Sequence, residues 1–170
     1  ASATANSLLA GTYTLTVTDN IGCSSSATTT ITQPPSALTA SASVLNNVSC
    51  NGGNNGSAAA NAAGGTSPYL YSWSPGGSTS QSPVNLSAGT YTVTVTDVKG
   101  CTQTALTNIT EPTPLAANIT SNTPVACNGG STGSATISAS GGTPGYTYLW
   151  APGGGTNPAA SNLAAGTYTV

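Results

Sequence analysis

Very few side chains in this sequence could do chemistry. Asp19, Asp97, Lys99 and Glu111 are the only charged side chains among 170 residues, and there is no His, Arg or Met. Nucleophilic catalysis needs a Ser, Cys or Thr beside a general base, and here no base neighbours any of them. No catalytic residue and no cofactor are therefore expected. Zinc would want Cys pairs two to four residues apart, or histidines, and neither exists. Calcium would need several more oxygen ligands around each Asp. The plainer role for Asp19 and Asp97 is to cap the turn that follows each of them. That leaves Cys23, Cys50, Cys101 and Cys127. In small domains with thin cores, four cysteines at equivalent positions point to disulfides and an oxidising compartment.

Charge narrows the partners. A net charge of −2 with one Lys and no Arg cannot displace the counterions of a nucleic acid, and gives no hold on an anionic membrane surface. No apolar run approaches the ~18 residues of a membrane span. No leader and no initiator Met are visible, so the sequence reads as an internal window of something longer.

The elements that position these residues are β-strands. Gly89-Thr-Tyr-Thr-Val-Thr-Val-Thr-Asp97 alternates strictly, Tyr91, Val93 and Val95 on one side and threonines on the other. That period of two marks a half-buried strand. The same stretch stands at Gly11–Asp19 and, cut short, at Gly166–Val170. Cys50 and Cys127, Trp73 and Trp150, and Tyr91 and Tyr168 each lie 77 positions apart, while Tyr13 and Tyr91, or Cys23 and Cys101, lie 78 apart. The extra residue falls in a Pro-containing linker, where an insertion costs least. The units are then residues 1–34, the last part of a first repeat; 35–112, a complete repeat; and 113–170, the first part of a third.

Within 35–112, strands are expected over Ala37–Leu45, Ser57–Ala63, Tyr69–Trp73, 89–97 and Gln103–Thr110, with one or two short strands in Thr79–Leu86. The steps Asn51-Gly52 and Asn55-Gly56 suit positive φ. About seven short strands, an aromatic strand with Trp and a late Tyr-bearing strand describe an all-β, immunoglobulin-like sandwich, repeated in tandem as an elongated array. Trp73, Trp150, Tyr69, Tyr71, Tyr91, Tyr146, Tyr148 and Tyr168 are the expected core. The competing use of Tyr69, Tyr71 and Trp73 is a sugar-stacking platform. The threonine rows resemble ice-binding arrays, but one strand per twisted sheet gives no flat face.

Three motifs in order, Val48-Ser-Cys-Asn-Gly-Gly-Asn-Asn-Gly-Ser-Ala58, Gly64-Gly-Thr-Ser-Pro-Tyr-Leu-Tyr-Ser-Trp73 and Ala88-Gly-Thr-Tyr-Thr-Val-Thr-Val-Thr-Asp97 with Gly100-Cys101, closely resemble the SprB-type repeat. The resemblance runs over essentially the whole chain. It implies a PKD-like fold, export to the cell surface by a type IX route, and a place in the very long adhesins of gliding Bacteroidota. The expected function is a structural stalk segment of such an adhesin, with neighbouring repeats and surface glycans as partners. The alternatives are a polymerised fibre subunit with strand exchange between chains, and a carbohydrate-binding accessory module.

The cysteines can be placed by topology. Cys50 follows the first strand of its unit, and Cys101 lies in the turn before the last. A strand of seven residues is about 23 Å long, whereas a disulfide needs Cα atoms within about 7 Å. The favoured pairing therefore joins Cys50 or Cys127 to the turn cysteine of the following unit, which for both falls past residue 170. A bond from Cys50 to Cys101 within the unit is the alternative.

Overall fold

The computed structural model describes residues 4–153 and 155–170. Among them there is no helix, and the chain folds into several small antiparallel sheets. The first unit contributes a hairpin of β1 (Gly11–Thr18) and β2 (Ser24–Ile31), paired along its length from Gly11 opposite Ile31 to Thr18 opposite Ser24.

The middle unit supplies β3 (Thr39–Asn46), β4 (Gly56–Ala63), β5 (Tyr69–Ser74), β6 (Val84–Leu86), β7 (Gly89–Asp97) and β8 (Thr102–Ile109). They form two sheets, ordered β3-β4-β6 and β5-β7-β8. Strand β7 takes the centre of the second sheet because it is the longest and most regular β sequence. Trp73 opposes Val93, and Tyr91 opposes Thr107. Alternation puts Tyr91, Val93, Val95 and Asp97 inside, while Thr90 is exposed and Thr92, Thr94 and Thr96 are half-buried.

One buried cluster draws on both sheets: Leu38, Val48, Ala58, Ala60, Trp73, Tyr91, Val93, Val95 and Ile109. Ala58 and Ala60 are fully buried, and the small methyls of β4 leave the volume that Trp73 fills. Tyr69, Tyr71 and Leu86 pack at the margin of the cluster. Strand β3 also runs beside β8, and where the two finish together Val48 N–H donates to Thr110 O.

The third unit holds β9 (Ala116–Thr123), β10 (Gly133–Ser140) and β11 (Ala159–Leu163) in one sheet, ordered β11-β10-β9. Its own cluster is Ile137, Trp150, Ala160 and Leu163, with Tyr148 and Tyr168 against it. Tyr146–Trp150, expected to repeat the aromatic strand, is not a strand. It makes only isolated bridges, Trp150 to Gly155 and Ala151 to Thr169. The reason lies in the pairing of the middle unit, where Tyr69 and Tyr71 are held by Asp97 and Val95. No residue among those described stands opposite Tyr146 and Tyr148 in that way.

One local expectation changes. Gly52 has φ +73, as an Asn-Gly turn requires, but Gly56 begins β4 without positive φ. It is glycine for space: a Cβ there would come within 2.7 Å of Leu86 O and 2.8 Å of Ile109 Cγ2.

Candidate functional site

The polar groups of the middle unit gather at its two ends. At the upstream end, β7 runs into the turn that carries Lys99, Gly100 and Cys101. Asp97 caps that turn, its Oδ1 accepting Lys99 N–H and Cys101 N–H, both at 2.9 Å. Its Oδ2 accepts Thr66 N–H at 2.9 Å, across 31 residues of chain. Asp97 is 2 % exposed. Burial pushes its carboxyl upward, but the N–H donors of Cys101, Thr66 and Lys99 outweigh that and hold it below the ordinary carboxylate value. Gly65, at φ +60, lets the loop come this close, because a Cβ would sit 2.8 Å from Asp97 Oδ2. Asp19 caps the equivalent hairpin turn, accepting Ile21 N–H at 3.0 Å and Cys23 N–H at 2.8 Å.

Beside the Asp97 turn is an open hollow of about 340 Å³, lined by Gln33, Pro34, Leu38, Gly65, Cys101 and Thr102. The linker from the first unit therefore runs past Cys101. At the downstream end, the turn after Cys50 is clasped by the outgoing linker. Gly52 N–H donates to Glu111 Oε2 at 2.7 Å, and Asn51 Nδ2 donates to Glu111 Oε1 at 3.0 Å and Pro112 O at 3.2 Å. Thr110 N–H donates to Asn47 Oδ1 at 3.0 Å. Incoming and outgoing chain are thus anchored at opposite ends of β3.

The four cysteines, Cys23, Cys50, Cys101 and Cys127, are all free and exposed, and no disulfide is present. The expectation of disulfides is corrected to that extent. For the pair within the middle unit the physical reason is distance: the full length of β3, about 26 Å for eight residues, lies between the turns of Cys50 and Cys101.

The aromatic residues sit as follows. Trp73 is 2 % exposed and its Nε1–H donates to Ser80 O at 2.9 Å; Trp150 Nε1–H donates to Asn157 O at 2.9 Å. Tyr91 is buried, and Tyr69, Tyr71, Tyr146, Tyr148 and Tyr168 are half-buried. Tyr69 hydroxyl donates to Gly64 O and Tyr146 hydroxyl to Gly141 O, tying the aromatic segment to the double-glycine loop in both units. A further pattern was not read from the sequence. Tyr13, Tyr91 and Tyr168 each donate their hydroxyl to the carbonyl four residues earlier, Leu9, Ser87 and Ala164. Its signal was present, a Tyr at a fixed place after each Gly-Thr step.

Among the described residues, no three His, Cys, Asp or Glu side chains cluster as a metal site would require. Among the same residues no helix is long and apolar enough to cross a membrane. The arrangement is one of turn caps and linker clasps, groups that hold backbone.

Comparison with known proteins gives a match to the SprB repeat at residues 42–78 and again at 119–155, together less than half of the chain. Each match runs from the first strand of a unit to just past its tryptophan. No curated protein matches the chain.

Proposed function

Because the chain carries two SprB repeats, we propose that it is a segment of a long cell-surface adhesin, serving as an extracellular stalk or spacer in adhesion or gliding motility. The observation that carries this reading is the anchoring of incoming and outgoing linkers at opposite ends of the middle unit. A unit so connected adds its own length to the chain each time it recurs. Uncharged, threonine-rich outer faces suit such a spacer, since they offer little for a protease or an ion to hold.

On this reading the units are 1–34, 35–112 and 113–170, each built on an immunoglobulin- or PKD-like sandwich. Two findings support the sandwich. The sheets β3-β4-β6 and β5-β7-β8 share one buried cluster. The recurring bond from a tyrosine hydroxyl to an upstream carbonyl resembles the corner that pins such a strand in immunoglobulin-like folds. Neighbouring repeats are the first partners, surface glycans a second class, and the location is outside the cell.

Electron micrographs of the native assembly test the proposal. Beads along a thread, spaced by roughly 30 Å or a little more for a unit one strand long plus its linker, are the expected outcome. A compact particle without axial repeat refutes it.

A further inference from the structure

Strand β5 of the middle unit lies at the edge of its sheet, in the order β5-β7-β8. Asp97 N–H donates to Cys101 O, so the odd-numbered residues of β7 turn toward β8 and Thr92, Thr94 and Thr96 turn toward β5. Their partners there are Ser74, Ser72 and Leu70. The N–H and C=O of Tyr69, Tyr71 and Trp73 therefore point away from the sheet. Trp73 is served by the loop that follows: its N–H donates to Ser78 O and its C=O accepts Gly77 N–H, both at 2.9 Å. The backbone groups of Tyr69 and Tyr71 bond to nothing among the described residues. Beside them is an open hollow of about 460 Å³, walled in part by Tyr69, Leu70, Tyr71, Ser72 and Thr79.

We propose that this edge pairs with the same edge of a second copy of the chain, antiparallel, so that two chains lie side by side in opposite directions. Tyr69 of one copy stands opposite Tyr71 of the other, and each such pair exchanges two backbone bonds. This register uses all four unpaired groups of both copies. Shifting it so that Tyr71 meets Tyr71 sets Tyr69 against Trp73, whose groups Ser78 and Gly77 already hold. Shifting it the other way sets Tyr71 against Ser67, outside the strand. In the proposed register Leu70 meets Leu70 across the two-fold axis. Leu70 is 70 % exposed in the single chain, and the pairing gives it an apolar neighbour.

Charge favours a second copy as the occupant. Residues 64–83, which hold β5 and the loops on either side of it, carry no charged side chain. Exposed edges are ordinarily blunted by Lys or by an inward-pointing charge, and a copy meeting this one encounters neither. Pro68 and Pro75 close the two ends of the strand without removing a donor from Tyr69 or Tyr71. Area sets the strength: two short strands cover far less than the ~1,600 Å² of a standard interface, so one pair alone holds weakly. In an array the edge recurs at one spacing along both threads, and the contacts add by avidity. That summation rests on the stalk reading, whereas the pairing of single edges does not.

Cross-linking of the 170-residue chain tests the register. The background is Cys23→Ser, Cys50→Ser, Cys101→Ser and Cys127→Ser, all at exposed positions. Leu70→Cys then places two thiols on the axis, where facing Cα atoms of a non-hydrogen-bonded antiparallel pair stand about 4.5 Å apart and a disulfide can close. Leu106→Cys is the control, because it is 66 % exposed on β8 and five strand spacings, about 24 Å, separate it from its counterpart. In a glutathione redox buffer Leu70→Cys should form a species of twice 16.3 kDa, at about ten times the rate of Leu106→Cys or faster. In the trapped dimer the Tyr69 and Tyr71 amides should exchange with deuterium about tenfold more slowly than after reduction. In the wild type, kept reduced, the amide NMR signals of these two residues should move as concentration rises. Equal cross-linking of the two variants, unchanged exchange in the trapped dimer, or wild-type amide signals fixed at every concentration overturns the proposal and leaves the edge to an extended segment of a different protein. Failure here leaves the stalk reading standing, because micrographs of the native assembly decide that one.

Discussion

Removing the indole of Trp73 is the most direct test of the middle unit. The side chain is 2 % exposed among Ala58, Ala60, Val93 and Val95, and its one polar atom is paired with Ser80 O. Trp73→Ala deletes the largest fully buried side chain. Large-to-small changes of this kind cost about 3–5 kcal/mol, because the surroundings refill the space only in part. A domain of this size is stable by roughly 4–12 kcal/mol, so the variant should lose a large share of its stability. Trp73→Phe keeps a ring in the space and gives up the bond to the exposed Ser80, for about 0.5–1.5 kcal/mol. With a urea dependence of about 1 kcal/mol per molar, that is a midpoint shift of about 0.5–1.5 M. In either variant Trp150 becomes the sole tryptophan and reports on the third unit, whose cluster shares no residue with the first. Tyrosine fluorescence and circular dichroism should therefore show the middle-unit transition moving while the Trp150 transition stays in place. A shift below about 0.5 M for Trp73→Ala, or both transitions moving together, would refute the reasoning.

Other predictions concern the two ends. Asp97 has a carboxyl pKa held below its ordinary value of 3.8, so its contribution is present above that pH and lost as pH falls through the lower, folded value. Acid titration of stability should accordingly show a loss beginning below about pH 4, and Asp97→Asn should flatten it; an unchanged acid limb counts against the cap. Gly65→Ala places a Cβ on Asp97 Oδ2 at a backbone angle that costs an L-residue about 1–2 kcal/mol by itself, and the urea midpoint should fall by at least that equivalent. Glu111→Ala removes the acceptor of Gly52 N–H, and hydrogen exchange at Gly52 should accelerate with little change in the global midpoint. If Gly52 exchange is unaffected, the linker is not held by that clasp.

Much of the architecture could be read in advance because it is local. Alternation in Gly89–Asp97, the Gly and Pro punctuation and the Trp-bearing strand each depend on neighbours within a few residues, and within residues 35–112 the structure places the longer strands within one or two residues of those expectations. What escaped was set by partners distant in sequence. Thr66 reaches Asp97 across 31 residues and Gly52 reaches Glu111 across 59, and no spacing rule announces either. The Asn55-Gly56 step reads locally as a turn, whereas the closeness of Leu86 and Ile109 is what excludes a side chain at Gly56. Tyr146–Trp150 has the composition of a strand without the opposing residues that would make it one. The turn positions of the cysteines were legible, but whether they pair depends on what stands beside each turn, and all four are free.

The side-by-side course of β3 and β8 has a mechanical consequence. Both strands run from the upstream to the downstream end, the chain arriving at the start of one and leaving from the finish of the other. Tension drawn through the linkers would therefore slide the two strands lengthwise past each other, loading their shared contacts together instead of peeling them apart one at a time. A thread of such units would yield abruptly and at high force, one unit after another, and would resist steadily until then.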